Sequence, residues 1–169
     1  MTDFEKKSNL VSAILINDFG KDFFISGGCG VFAAILAEVA ASDGQHGEFN
    51  LVMREDFDDC QWLSHITYYH YESSLDYDVG GKDAEDRWMA KISQEAEEEG
   101  EDPSELIFFN IGLSVGPEDD IMAMLLDMTD RYDLNVREDW VKEHYPKLRD
   151  RILKSVDRSF SPSDSFSFG

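Results

Sequence analysis

A cysteine, a histidine and an aspartate follow one another as Cys29, His65 and Asp76, each in a segment of different character. A thiol becomes an effective nucleophile when a base takes its proton. The base in turn needs an acceptor that holds its ring and fixes its tautomer. His65 can serve as that base. Asp76, 11 residues further on and across the turn-like Glu72-Ser73-Ser74, can serve as that acceptor, with Asp78 as the alternative carboxylate. Gly27-Gly28 lets the chain turn sharply just before Cys29, and the run from Val31 to Ala41 carries one charge, Glu38. A helix apolar almost all round is a buried helix. Cys29 is therefore expected at the N terminus of such a helix, where the aligned peptide dipoles favour a thiolate and the Cys29 amide can face a developing oxyanion. The plainer alternative is that Cys29 is a buried small hydrophobe, the commonest role of a free cysteine.

The elements that must position these residues are legible from periodicity. Leu10, Val11, Ile14 and Leu15 recur at helical spacing, with Ser8 as an expected cap and Gly20 as the stop. The buried helix is expected from about Cys29 to Ala41. Three strands are expected over Glu48–Met53, Trp62–Tyr71 and Leu75–Val79, rich in aromatic and β-branched residues. Their short links imply an antiparallel meander. His65, Thr67, Tyr69 and Tyr71 then share one face of the second strand. Helices are expected over Ala84–Glu99, from Pro117 to about Arg131, and over about Arg137–Arg158, the last kinked or divided at Pro146. Leu106–Ile111 reads as a strand or a buried turn. The fold class is α+β, a single domain over 1–158 with a loose Ser/Phe tail over 159–169.

Composition bounds the partners. The 169 residues include 36 acidic and 15 basic side chains, a formal charge of −21. Phosphate contacts need Lys and Arg, so direct nucleic-acid binding is disfavoured. Such a charge suits a basic protein partner, a surface that imitates nucleic acid, or plain solubility. Cys29 and Cys60 form neither a disulfide framework nor a CxxC pair. No secretory signal or membrane span is expected, which places the chain in a reducing cytoplasm. No cofactor is expected and no metal either. Asp56, Asp58 and Asp59 could in principle hold Ca²⁺, but their loop lacks the remaining positions of an EF-hand. Cys60 reads as an ordinary thiol and His70 as a surface or edge residue. Trp62, Tyr68, Tyr69, Tyr71 and Trp88 read as cleft lining or, more often, aromatic core.

The GGCG segment opening an apolar helix, then His65-Ile66-Thr67-Tyr68, then Leu75-Asp76-Tyr77-Asp78-Val79-Gly80 resembles the papain-like superfamily over about residues 20–90. The likeness is to its compact NlpC/P60-like and transglutaminase-like members. It implies a catalytic helix packed on an antiparallel sheet, with Cys29 as nucleophile, His65 as base and Asp76 as orienter. It also implies hydrolysis of, or acyl transfer from, an amide or peptide bond in a peptide or protein substrate. The sequence departs from the family in having no glutamine before Cys29. Asn17 is the nearest amide and Ser26 a possible substitute. The alternative function is a non-catalytic acidic interaction protein, such as an inhibitor of phage or plasmid type that fills the basic groove of a nucleic-acid-handling enzyme.

Overall fold

The computed structural model describes residues 1–25, 27–55 and 60–160. Mixed helix and strand make an α+β fold. The elements run α1 (Asp3–Phe19), α2 (Lys21–Ile25), α3 (Cys29–Ser42), β1 (Gly47–Glu55), β2 (Gln61–His70), β3 (Leu75–Asp78), β4 (Gly81–Lys82), α4 (Ala84–Glu98), β5 (Ile107–Val115), α5 (Ile121–Arg131) and α6 (Glu138–Phe160), with a 3₁₀ turn at Pro103–Glu105.

The strands form one antiparallel sheet in the order β4-β3-β2-β1-β5. Alternation divides the sheet into two faces. Phe49, Leu51, Ile66, Tyr68 and Tyr77 are buried on one face and belong to the main core with α3. Val31, Phe32, Ala33, Ala34, Ile35, Leu36 and Val39 of α3 are almost wholly buried, as their composition requires. The one charge of α3, Glu38, meets Arg149 of α6 (Nε to Oε2, 3.3 Å), so its burial does not leave it unpaired. The opposite face carries Asn50, His65, Thr67, Asp76 and Asp78, and α4 packs there through Glu85 and Trp88.

Several boundaries differ from expectation. The cap of α1 is Thr2, whose hydroxyl accepts from the Glu5 amide; Ser8 lies buried inside the helix. Pro117 sits in a turn and α5 starts four residues later, because Asp120 caps it by accepting from the Ala123 amide at 3.1 Å. Pro146 does not divide α6, which runs unbroken from Glu138 to Phe160. Its buried row Val141, Tyr145, Leu148, Ile152 and Val156 anchors both halves on the core, outweighing the lost backbone bond at proline. The helix thus takes in Ser159 and Phe160, and the rest of the expected tail lies outside the described residues. Of the segment Leu106–Ile111, Leu106 ends the 3₁₀ turn and Ile107–Ile111 is strand, part of β5, which pairs with β1 from Ile107 to Val115.

Leu36, fully buried in α3, tests this core. Leu36→Ala is expected to lower unfolding free energy by about 2–5 kcal/mol in urea melts, with an unchanged m-value.

Candidate functional site

Cys29 is the first residue of α3 and is 7% exposed. Gly28 occupies the N-cap and, being glycine, offers no side chain to the first-turn amides. Gly27 is held at φ +134°, and a Cβ on it would lie 2.6 Å from Cβ of Asn135. Only glycine lets the loop before α5's successor helix approach the start of α3 this closely. A cleft of about 240 Å³ opens there, lined by Gly27, Cys29, Ser64, His65, Asp133 and Asn135 among others.

His65 reaches this cleft from β2. The β1–β2 register slips between Val52 and Met53, so that Ser64 is an extra residue beside His65. Such a bulge re-aims side chains locally. His65 is 2% exposed, and its ring lies flat on Trp88 of α4 with centroids 4.1 Å apart and planes at 11°. Trp88 is fixed in turn by donating Nε1–H to Ser64 Oγ at 2.8 Å.

The carboxylate against His65 is Asp78, not Asp76. His65 Nε2 and Asp78 Oδ2 are 2.9 Å apart. Asp78 Oδ1 accepts from Arg87 Nη2 and from the Gly80 amide, each at 2.8 Å. Arg87 is itself tied to the carbonyls of Gly81 and Lys82. Asp76 pairs across from Tyr69, further along the sheet from His65. Its Oδ2 accepts from the Glu85 amide at 2.8 Å, which caps the start of α4. The register explains the exchange: Tyr68 faces Tyr77, so the diagonal neighbour of His65 on its own face is residue 78.

The charges follow from this geometry. Burial alone would push the His65 imidazole down. The hydrogen bond to Asp78 and then the interaction with Cys29 outweigh it and raise the group to about 9. Burial likewise acts to raise Asp78, but its bonds from His65 and Arg87 bring it down to about 2. The pair is thus a buried imidazolium–carboxylate at neutral pH. Cys29 interacts with the imidazole, yet His65 Nδ1 has no hydrogen bond of ordinary geometry. Cys29 is thus the neighbour that, with Asp78, raises the proton affinity of the ring.

His70 is not a surface residue: it is 2% exposed, stacks on Phe4 at 3.8 Å, and bonds Ser73 Oγ and Gln45 Oε1 at 2.8 Å each. It points to the core face, as Ile66 and Tyr68 do on the same side of the bulge. Cys60 is exposed and does not line the cleft. Tyr68 is core, whereas Trp62 and Tyr71 are largely exposed. Ser26, Asp56, Asp58 and Asp59 lie outside the described residues. Among the described residues no group of His, Cys, Asp and Glu could hold a metal ion, and no helix is long and apolar enough to cross a membrane. Arg87 and the Tyr132–Asn135 segment are site elements that sequence reading did not pick out. Arg87 had a signal, as the basic residue in the first turns of the helix after Asp78-Val79-Gly80-Gly81. In comparisons with known proteins no family model, curated protein or solved structure matches this chain.

The His65–Asp78 pair makes stability depend on pH in a defined direction. His65 is raised from 6.5 to about 9, so its contribution is complete below about pH 6.5 and is lost as pH rises through about 9. Asp78 is lowered from 3.8 to about 2, so its contribution is present above about pH 4 and is lost as pH falls through about 2. Urea melts at pH 6 and pH 10 should differ by on the order of 2 kcal/mol, and Asp78→Asn should flatten most of that difference.

Proposed function

We propose that this protein is a cysteine hydrolase or acyltransferase of papain-like type, acting on an amide or peptide bond, with Cys29 as nucleophile, His65 as acid–base and Asp78 as the orienting carboxylate. One observation carries the reading: a thiol at the start of a buried helix shares a cleft with an imidazole whose far nitrogen is bonded to a buried carboxylate.

The chemistry balances with these residues alone. The reacting microstate is the one in which the Cys29 proton already resides on His65, so that the imidazolium, held by Asp78 on Nε2, faces a thiolate. The thiolate adds to the acyl carbon, and the Cys29 backbone amide donates to the oxyanion. His65 returns the proton to the leaving amine, and a thioester remains on Sγ. Water or a second amine, deprotonated by His65, then releases the acyl group and the free thiol. Trp88 covers one face of the ring and shields it from water, which strengthens the pair with Asp78. Arg87 keeps Asp78 ionised through both steps.

The formal charge of −21 supports a second reading, an acidic interaction protein that engages a basic partner without catalysis. The two readings separate at Cys29. In the interaction reading Cys29→Ser leaves partner binding and its effect intact; in the enzyme reading it abolishes turnover.

Thiol labelling provides the direct test. Exposure alone would make Cys60 the faster to react with iodoacetamide, since Cys29 is nearly buried. The proposal expects the reverse order, read by mass spectrometry of the two peptides. It also expects His65→Ala to slow Cys29 by at least about tenfold. Asp78→Asn should slow it as well, and Asp76→Asn should not. Faster labelling of Cys60, unaffected by His65→Ala, would remove the case for an enzyme.

A further inference from the structure

The two edges of the sheet are built differently. At one end stands β4, two residues long and carrying Lys82, the short charged kind of edge that resists further pairing. At the other stands β5, nine residues long, Ile107-Phe108-Phe109-Asn110-Ile111-Gly112-Leu113-Ser114-Val115, with no charge and no proline. β5 pairs with β1 on one side, and among the described elements no strand pairs with its other side. Asn110, Gly112 and Ser114 are exposed and Phe109, Ile111 and Leu113 half-buried, as an edge open to solvent requires. An uncharged edge of this length is a template for one more strand.

The two faces beside that edge differ in chemistry. On the α5 side, Leu113, Ala123 and Met124 line an open, mainly apolar cleft of about 500 Å³. On the α4 side, Asn110 and Gly112 border a cleft of about 410 Å³ that holds Glu48, Glu85 and Asp86. At the start of β5, Glu101 and Glu105 lie beside Trp62, which is 44% exposed, and Ile107, which is 52% exposed. Among the described residues, Arg54 is the one basic side chain lining these three clefts. It is already engaged over the rings of Trp62 and Phe108, at 4.8 Å and 5.8 Å.

We propose that the free edge of β5 is a docking site for an extended, basic segment of a protein partner, added as a sixth strand. The added strand would place apolar side chains over Leu113 and Met124, and Lys or Arg toward Glu48, Glu85 and Asp86. Its pattern is therefore an alternation of basic and apolar residues at period two. A second copy of this chain is the wrong occupant. Its own β5 is uncharged and would bring the same carboxylates against these, in a molecule of formal charge −21. The site lies along β5, away from the Cys29 cleft, and does not rest on the catalytic reading.

The test uses the full-length protein and a fluorescein-labelled nonapeptide of alternating Lys and Val, matched to the nine residues of β5. Anisotropy at about 20 mM salt should show saturable binding that weakens at least about tenfold by about 0.5 M salt. A peptide with the same side chains and a fully N-methylated backbone keeps the charge and loses the strand donors. It should bind at least about tenfold more weakly. The variant I107K/S114K, changed at two exposed positions, should bind the unmodified peptide at least about tenfold more weakly too. Equal binding of the two peptides would reduce the effect to charge and overturn the proposal, as would no binding of either. Concentration-dependent dimerisation abolished by I107K/S114K would overturn it in favour of self-pairing.

Discussion

The constraint on which the rest of this structure depends is that α3 has no face that tolerates water. From Cys29 to Ala40 nearly every side chain is buried, and the helix must be enclosed on all sides. The sheet supplies one wall through Leu51, Ile66 and Tyr68, while α1, α5 and α6 supply the others. Burying a side chain of this size is worth about 1.5–3 kcal/mol, so a handful outweighs any local preference at the helix ends. That is why Pro146 survives inside α6: the helix is held by what it covers.

Enclosing α3 also determines what its N terminus meets. The chain must enter the core at Gly27-Gly28, where Asn135 passes too close for a side chain on Gly27 and Phe23 too close for one on Gly28. Cys29 therefore lies at the floor of a cleft and not on an open surface. The bulge at Ser64 and the flat stack on Trp88 bring the His65 ring to that same floor. The protein is strongly acidic, yet it buries a cation at this point. The cation is tolerable because it belongs to an alternating row, Arg87–Asp78–His65, in which each charge is bonded to its neighbour. Breaking one member would leave a buried charge uncompensated, the costliest outcome for such a row.

Acidity is distributed unevenly around this framework. Carboxylates gather along the β5 side of the sheet, while Lys21, Arg87 and Lys91 line a cleft beside His65 and Asp78. The net charge thus describes the surface and not the site. Long-range fields steer partners to the surface; hydrogen bonds and burial set the proton affinities in the cleft.

The sequence by itself determined the α+β class, the buried helix opening at Cys29, the three-strand meander and the presence of His65 on its second strand. Each follows from periodicity and composition within a short window, which is where local physics is strong. What it could not determine was which carboxylate serves His65. Asp76 and Asp78 share a face and differ by one step of the pleat, so the choice rests on cross-strand register. Register is set by Tyr68 meeting Tyr77 in the core, a contact between distant segments. His70 shows the same dependence: its polarity marks it for the surface, but its place on β2 beside Ile66 and Tyr68 sends it inward to Phe4. Arg87, Trp88 and Asn135 enter the site from helices and loops far along the chain. Only tertiary packing brings them there, because nothing in their own neighbourhoods depends on Cys29.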